Sequence, residues 1–345
     1  MTKILITGSS GFLGTLLTDS FRAKRIAYVP TDKISPKNKS ESETFVQGNL
    51  CSPEFTDNLF KNESFETVIH LASELDFAVT SQKSLFDNNV KTTKNILAAS
   101  LKYGVKRIIF TSSNSAYLGN SNTFGITESV KPVPLDPYGA SKVESEHILN
   151  EAKDKIHIIN VRPPNIIDAG RIGMLSILFE LLESNSTLWT VGDGSLRYQC
   201  IYAQDLLDVL HKLLSYEKSD TFNIGSDRVP SFKEMYQDLA RTTSSKSKIR
   251  SIPALLSLPP LKLFYHLGLS PMGPYQFRML TRNFIFDTTH VKKELNWQPT
   301  LNNTEMLKLA YDFFVANKQL VKSGKLSANS SAVKMGILNV LKYLP

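Results

Sequence analysis

The chain begins with a short apolar run of β type, Ile4-Leu5-Ile6, which ends at Thr7. After three spaced glycines, residues 15–22 place Leu16, Leu17 and Phe21 at helical spacing. The same alternation recurs downstream. Residues 26–31, 44–47, 67–72, 107–113 and 156–162 are apolar, β-branched runs that predict strands. Between them, residues 84–103 carry Leu85, Phe86, Val90, Ile96, Leu97 and Leu101 with helical periodicity, closed by Gly104. A further helix is predicted over 136–150. The run from Arg107 to Ser113 is almost continuously apolar until it reaches its hydroxyls, as a strand buried on both faces must be. Strands alternating with helices predict an α/β fold with a doubly wound parallel sheet.

Past Arg162 the pattern becomes irregular. Pro163-Pro164 is followed by a predicted helix over 174–183, a Gly192-Asp193-Gly194 turn and a helix over 205–215. A strand over 221–224 and a helix over 231–242 complete the run. This predicts a smaller lobe built mainly from the C-terminal third. The expected division is a dinucleotide-binding domain over 1–165, rejoined by 200–225. A substrate-binding lobe would comprise 166–199 and 226–320, leaving a tail over 321–345. Residues 33–43 read as a surface loop. Residues 251–271 are strongly apolar but hold four prolines, too broken for a membrane span, and are expected to pack as a lid or as core. In the tail, 332–344 sets Val333, Ile337, Leu341 and Leu344 on one helical face. That helix is expected to dock on the protein or on a second subunit of a homodimer, with peripheral membrane contact as the alternative.

A chain of 345 residues suffices for one large α/β domain and a smaller one. The net charge of +8 fits anionic ligands such as nucleotides, or a negatively charged membrane surface, although excess lysine is also common on ordinary surfaces. No nucleic-acid partner is expected. Cys51 and Cys200 stand apart and the six histidines are scattered, so no metal site is expected. With the first strand starting at residue 4, no signal peptide is expected, and the default compartment is the cytoplasm.

Strand, glycine turn and helix form the unit that holds a pyrophosphate on free helix N-terminal N–H groups. Gly8 permits the tight turn, Gly11 lets phosphate approach the backbone, and Gly14 lets the helix pack closely, which makes the sheet Rossmann-type. An ordinary βα turn is the alternative for such glycines. Asp32, at the end of the second strand, can accept ribose hydroxyls and repel a 2′-phosphate, favouring NAD over NADP; the alternative is a loop aspartate. Tyr138 and Lys142 lie four apart and share one face of their helix. A neighbouring ammonium and a cationic nicotinamide both favour the phenolate, making Tyr138 a usable acid/base. Ser113 either orients a substrate oxygen beside Tyr138 or merely caps the strand end, as Ser112 or Thr111 also could.

Taken together, these residues resemble the extended short-chain dehydrogenases/reductases, the class of nucleotide-sugar epimerases and dehydratases. The resemblance is carried by residues 7–14, by Asp32, Gly48-Asn49-Leu50, His70-Leu71-Ala72 and 89–95, and by Thr111-Ser112-Ser113 and 138–142. Residues 162–165, 192–199, 202–206 and 295–299 extend it to about residue 315. It implies Tyr138 as acid/base, Lys142 holding the nicotinamide ribose and lowering the Tyr pKa, and Ser113 orienting the carbonyl. It also implies a cofactor lined by Phe12, Leu13, Asn49, Leu50, Leu71 and Ala72, together with the glycines and Asp32. Asn165 and Arg197 are similar to the substrate-side amide and the phosphate-binding arginine of nucleotide-sugar enzymes. Two positions depart from the family: Asn49 replaces its usual Asp, and Thr92 its usual Gly. The expected activity is therefore NAD-dependent epimerisation of a nucleoside-diphosphate sugar. The alternatives are a 3β-hydroxysteroid-dehydrogenase-like enzyme on an apolar substrate, suggested by 251–271 and 286–297, and a non-catalytic NAD-binding regulator.

Overall fold

The computed structural model describes residues 3–36, 44–75, 82–121, 123–267, 269 and 273–323. The predicted tail helix over 332–344 and most of the 33–43 loop lie outside these residues. In chain order the strands begin with β1 (Lys3–Thr7), β2 (Tyr28–Asp32), β3 (Val46–Gln47), β4 (Phe65–His70), β5 (Arg107–Thr111) and β6 (Phe124–Ile126). They continue with β7 (His157–Arg162), β8 (Asn165–Ile167), β9 (Leu188–Val191), β10 (Cys200–Tyr202), β11 (Asp220–Asn223), β12 (Ile249–Ile252) and β13 (Ile285–Phe286).

Seven of these strands form the central sheet, ordered β11-β7-β5-β4-β1-β2-β3 and parallel throughout. The pleat explains the continuous apolar runs. Leu5, Val68, Ile108 and Ile158 enter one core, and their neighbours Ile6, Ile69, Ile109 and Ile159 enter the core on the other face. All eight are fully buried. Strand order reverses beside β1, between β4 and β2, and such a switch point opens a crevice at the strands' C-terminal ends.

The other strands pair in twos: β8 with β10, β9 with β12, and β6 with β13. A further core, including Phe179, Leu182, Leu239, Met306 and Phe314, lies under the C-terminal lobe.

Two helices matter most for the site. Of the first four helices, α1 (Phe12–Ala23), α2 (Pro53–Asn62), α3 (Gln82–Lys102) and α4 (Pro137–Asn150), α1 starts straight from the glycine turn and α4 carries Tyr138 and Lys142. Asp136 caps α4 by accepting the Gly139 N–H at 2.6 Å. A buried ion pair, Arg162 Nε to Glu146 Oε1 at 2.9 Å, pins α4 to the end of β7. Breaking one partner of such a pair strands a buried charge, so α4 is held firmly where its side chains act.

The structure differs from the sequence reading at several points. The strand expected over 44–47 shortens to Val46–Gln47. A helix over Pro53–Asn62 is additional; its signals, Ser52 as N-cap and Pro53 at the first position, were present in the sequence. Within 251–271, the described residues include a strand end and then a helix, Ala254–His266, in spite of Pro259 and Pro260. No residue of that helix is buried, so it is not core.

Candidate active site

A cavity of about 1540 Å³ opens over the C-terminal ends of β1, β4 and β5 and runs on into the C-terminal lobe. Its floor is the glycine turn. Gly8 has φ +69°, and a Cβ there would lie 2.7 Å from the Ala72 backbone nitrogen. A Cβ on Gly14 would lie 2.2 Å from the Gly8 carbonyl oxygen, so α1 can sit on the turn only with glycine at that place. Gly11 is the N-cap of α1 and supplies no side-chain hydrogen bond, and no acidic residue occupies the first turn. The helix N-terminus can thus take an outside anion.

A buried relay braces this floor. The Ala72 N–H donates to Thr7 Oγ1 at 3.1 Å, and Thr7 Oγ1 lies 2.8 Å from His70 Nδ1. His70 Nε2 lies 3.3 Å from Thr93 Oγ1 on the helix Gln82–Lys102. Burial, with the nearby Lys142 charge adding to it, holds the His70 pKa down to about 3, so the ring is neutral. Asp32 accepts N–H groups from Ser10 in the glycine turn and from Ile34, each at 3.1 Å. Lys33 turns away to Glu74, at 2.6 Å, and does not neutralise Asp32. Asn49, which also lines the cavity, accepts the Cys51 N–H at 3.0 Å through its side-chain oxygen. Phe12, Leu13, Leu50, Leu71 and Ala72 complete this wall.

Ser113, Tyr138 and Lys142 line the same cavity. β5 ends at Thr111, and Ser113 begins the short 3₁₀ turn Asn114–Tyr117, its Oγ accepting the Ser115 N–H at 3.1 Å. The Ser113 and Ser73 hydroxyls lie near the Tyr138 hydroxyl and favour its ionised form. Tyr138 is half-buried, and desolvation pushes its pKa up to about 12, while the Arg171 charge pulls it down. Lys142 donates to the Thr111 carbonyl at 2.8 Å, with its ammonium 4.8 Å from the Phe110 ring centre and 5.6 Å from that of Tyr138. Burial lowers its pKa to about 7, with Glu146 opposing.

On the far side, Asn165 also lines the cavity. Its oxygen accepts the Tyr275 hydroxyl at 2.8 Å, and Tyr275 joins Tyr198 and Asn114 in one polar network. Arg197 is not brought to this cavity. The extended stretch 197–200 alternates, so Tyr198 and Cys200 face the main cavity while Arg197 and Gln199 face a separate one of about 360 Å³. Its guanidinium donates to the Val229 carbonyl and pairs with Glu234 at 3.3 Å.

The guanidinium that does line the main cavity is that of Arg171, 5.1 Å over the Phe12 ring. It falls in an irregular stretch that no periodicity marks, so only the fold reveals it. Tyr275 is likewise invisible to motif reading, whereas Asn114 adjoins Ser113. Beyond Asn165 the lining becomes apolar, with Ile172, Ile177, Leu181, Leu188 and Met235.

Comparison with known proteins agrees with this layout. The chain is 24% identical over 330 residues to a UDP-glucose 4-epimerase of Mycolicibacterium smegmatis, covering 90% of this chain and 98% of the relative. It is 25% identical over 327 residues to the 3beta-hydroxysteroid-dehydrogenase/decarboxylase isoform 1 of Arabidopsis thaliana, covering 87% and 69%. Its fold matches the crystal structure of a Thermotoga maritima UDP-glucose 4-epimerase with UDP-glucose at a TM-score of 0.75, with 23% identity and coverage of 92% and 100%. It also matches the Bordetella bronchiseptica enzyme WbmG in complex with NAD and UDP at a TM-score of 0.73, with 16% identity and coverage of 91% and 95%. The model of the NAD dependent epimerase/dehydratase family matches residues 4–225, and the chain is an enzyme of that family.

Proposed function

We propose that this enzyme epimerises a nucleoside-diphosphate sugar through a keto intermediate, using NAD. The observation that carries the reading is the joining of Ser113, Tyr138 and Lys142 to the glycine cradle in one cavity. The cradle fits a dinucleotide: the uncapped α1 N-terminus suits a pyrophosphate, and Asp32, its carboxylate not neutralised by Lys33, suits an adenosine ribose with a free 2′-hydroxyl. NAD is therefore preferred to NADP, and titration calorimetry with both cofactors checks the preference; tighter NADP binding would refute it.

When bound, the nicotinamide takes up and returns a hydride. The remaining work falls to the chain. Ser113 holds the reacting sugar oxygen, and Tyr138 removes and later returns its proton. At pH 7 a phenol with a pKa of about 12 is ionised to about one part in 10⁵, so it needs a cation to pull on it. Arg171 supplies part of that pull, and Lys142 holds the ribose that sets the ring's position. Arg171 is also the planar donor available for the sugar's diphosphate, the role the sequence pattern assigned to Arg197. Asn165, held by Tyr275, orients the sugar from the opposite wall. In this reading residues 1–165 and 200–225 hold the cofactor, and 166–199 with 226–320 hold the substrate. The two cysteines, neither in a disulfide, suit a reducing cytoplasm.

A second reading, oxidation of an apolar hydroxyl such as a hydroxysteroid's, is favoured by the apolar recess from Ile172 to Met235. A panel of nucleotide sugars and hydroxysteroids separates the two. Sugar isomers seen by NMR without NADH accumulation are expected. Stoichiometric NADH with a steroid, and no isomer from any sugar, would overturn the proposal.

A further inference from the structure

The helix Ala254–His266 breaks the usual burial rule for apolar side chains. Its sequence, ALLSLPPLKLFYH, is apolar nearly all round. Such a helix belongs in a core or in lipid. Yet Leu255 is 83% exposed, Leu256 66% and Leu263 57%, and Leu267 and Leu269 follow at 60% and 51%. Among the described residues, the other exposed large apolar side chains are more widely scattered, as on any surface.

Charge singles out the same region. Between Asp238 and Asp287 the sequence has no Asp or Glu and seven Lys or Arg. Lys246, Lys248 and Arg250 lead into the helix and Lys262 lies within it, all exposed. Thirteen residues are too few to cross a bilayer, and no helix among the described residues is long and apolar enough to do so. Pro259 and Pro260 lack N–H groups, so the carbonyls of Leu255 and Leu256 lose their helical donors. Water and headgroups can serve those carbonyls, whereas hydrocarbon cannot.

We propose that Ala254–His266 lies in the surface of an anionic lipid bilayer. Leu255, Leu263 and Leu267 enter the apolar layer, and Lys246, Lys248, Arg250 and Lys262 meet the anionic headgroups. A second copy of this chain fits the face less well, because it brings the same net charge of +8. The helix also lines the catalytic cavity through Leu256, Pro260, Leu261 and Tyr265, so docking brings the cavity's rim to the lipid. The inference is independent of the proposed sugar chemistry.

The test is sedimentation of the full chain with vesicles of phosphatidylcholine, with and without phosphatidylserine. Binding is expected only where phosphatidylserine is present, and it weakens with added salt. Joint Leu255→Ser, Leu263→Ser and Leu267→Ser substitution weakens it roughly tenfold or more. Arg250→Ala and Lys262→Ala each weaken it about fivefold. Joint Val333→Ser, Ile337→Ser and Leu341→Ser substitution in the tail leaves it unchanged. The proposal is overturned by no binding by the unaltered chain, by equal binding by the triple-leucine variant, or by loss only with the tail substitutions. A triple-leucine variant that instead changes the oligomeric state without lipid also overturns it, since the face would then be a protein interface.

Discussion

The two walls of the cavity are built by different means. The wall proposed for the cofactor is backbone: a glycine turn with no room for a Cβ, an uncapped helix end, and the Thr7–His70–Thr93 relay that fixes the turn against β4. The wall proposed for the substrate is side chain: Arg171 over Phe12, Asn165 tied to Tyr275, and an apolar recess behind them. A backbone wall tolerates almost no change and fixes one ligand. A side-chain wall can be rebuilt residue by residue, as expected where one fold serves relatives named for nucleotide sugars and for steroids.

Substitutions should separate the walls. The largest effect is expected where they meet. Tyr138→Phe should lower kcat by about 10²–10⁴ while NAD still binds, read by steady-state kinetics and calorimetry on the same sample. Near-normal turnover would remove Tyr138 from the chemistry. On the cofactor wall, Gly14→Ala should cost about 1–3 kcal/mol of stability and weaken NAD binding, because the added methyl meets the Gly8 carbonyl. Denaturant titration with and without NAD measures both. On the substrate wall, Arg171→Ala should lower kcat/KM by about 10–100-fold, the scale of a hydrogen bond to a charged group. Arg197→Ala should change it only a few-fold, and the reverse ranking would restore Arg197 as the diphosphate ligand.

A further effect, on stability alone, concerns pH. The His70 pKa drops from 6.5 to about 3 on folding, so between those values the unfolded chain holds a proton that the folded chain does not. Stability is then lost as pH falls from about 6.5 toward 3, by at most about 1.4 kcal/mol per pH unit. His70→Gln should flatten that part of the curve, and an unchanged slope would place the titration elsewhere.

The same contrast explains what could be read in advance. The glycine spacing, Asp32 and the Tyr138–Lys142 pair are set by local geometry, and short stretches of sequence carry them. Asp136, predicted to open its helix, does cap it. Arg197 shows the limit: its spacing from the Gly192 turn was informative, but which face it takes depends on pairing with Phe284, far along the chain. Arg171 and Tyr275 reach the cavity through tertiary packing alone. The helix at 254–266 misled for another reason, since apolar composition alone does not tell core from exposed surface.

The central claim is that one pocket takes a hydride from a sugar carbon and returns it to the other face of the same carbon. It is tested most directly with a nucleotide sugar deuterated at that carbon, followed by NMR. The epimer should keep its deuterium at the same carbon, with no washout into water and no free NADH. Loss of the label to solvent would contradict the account, because the carbon would then have been inverted by proton exchange and not by hydride return.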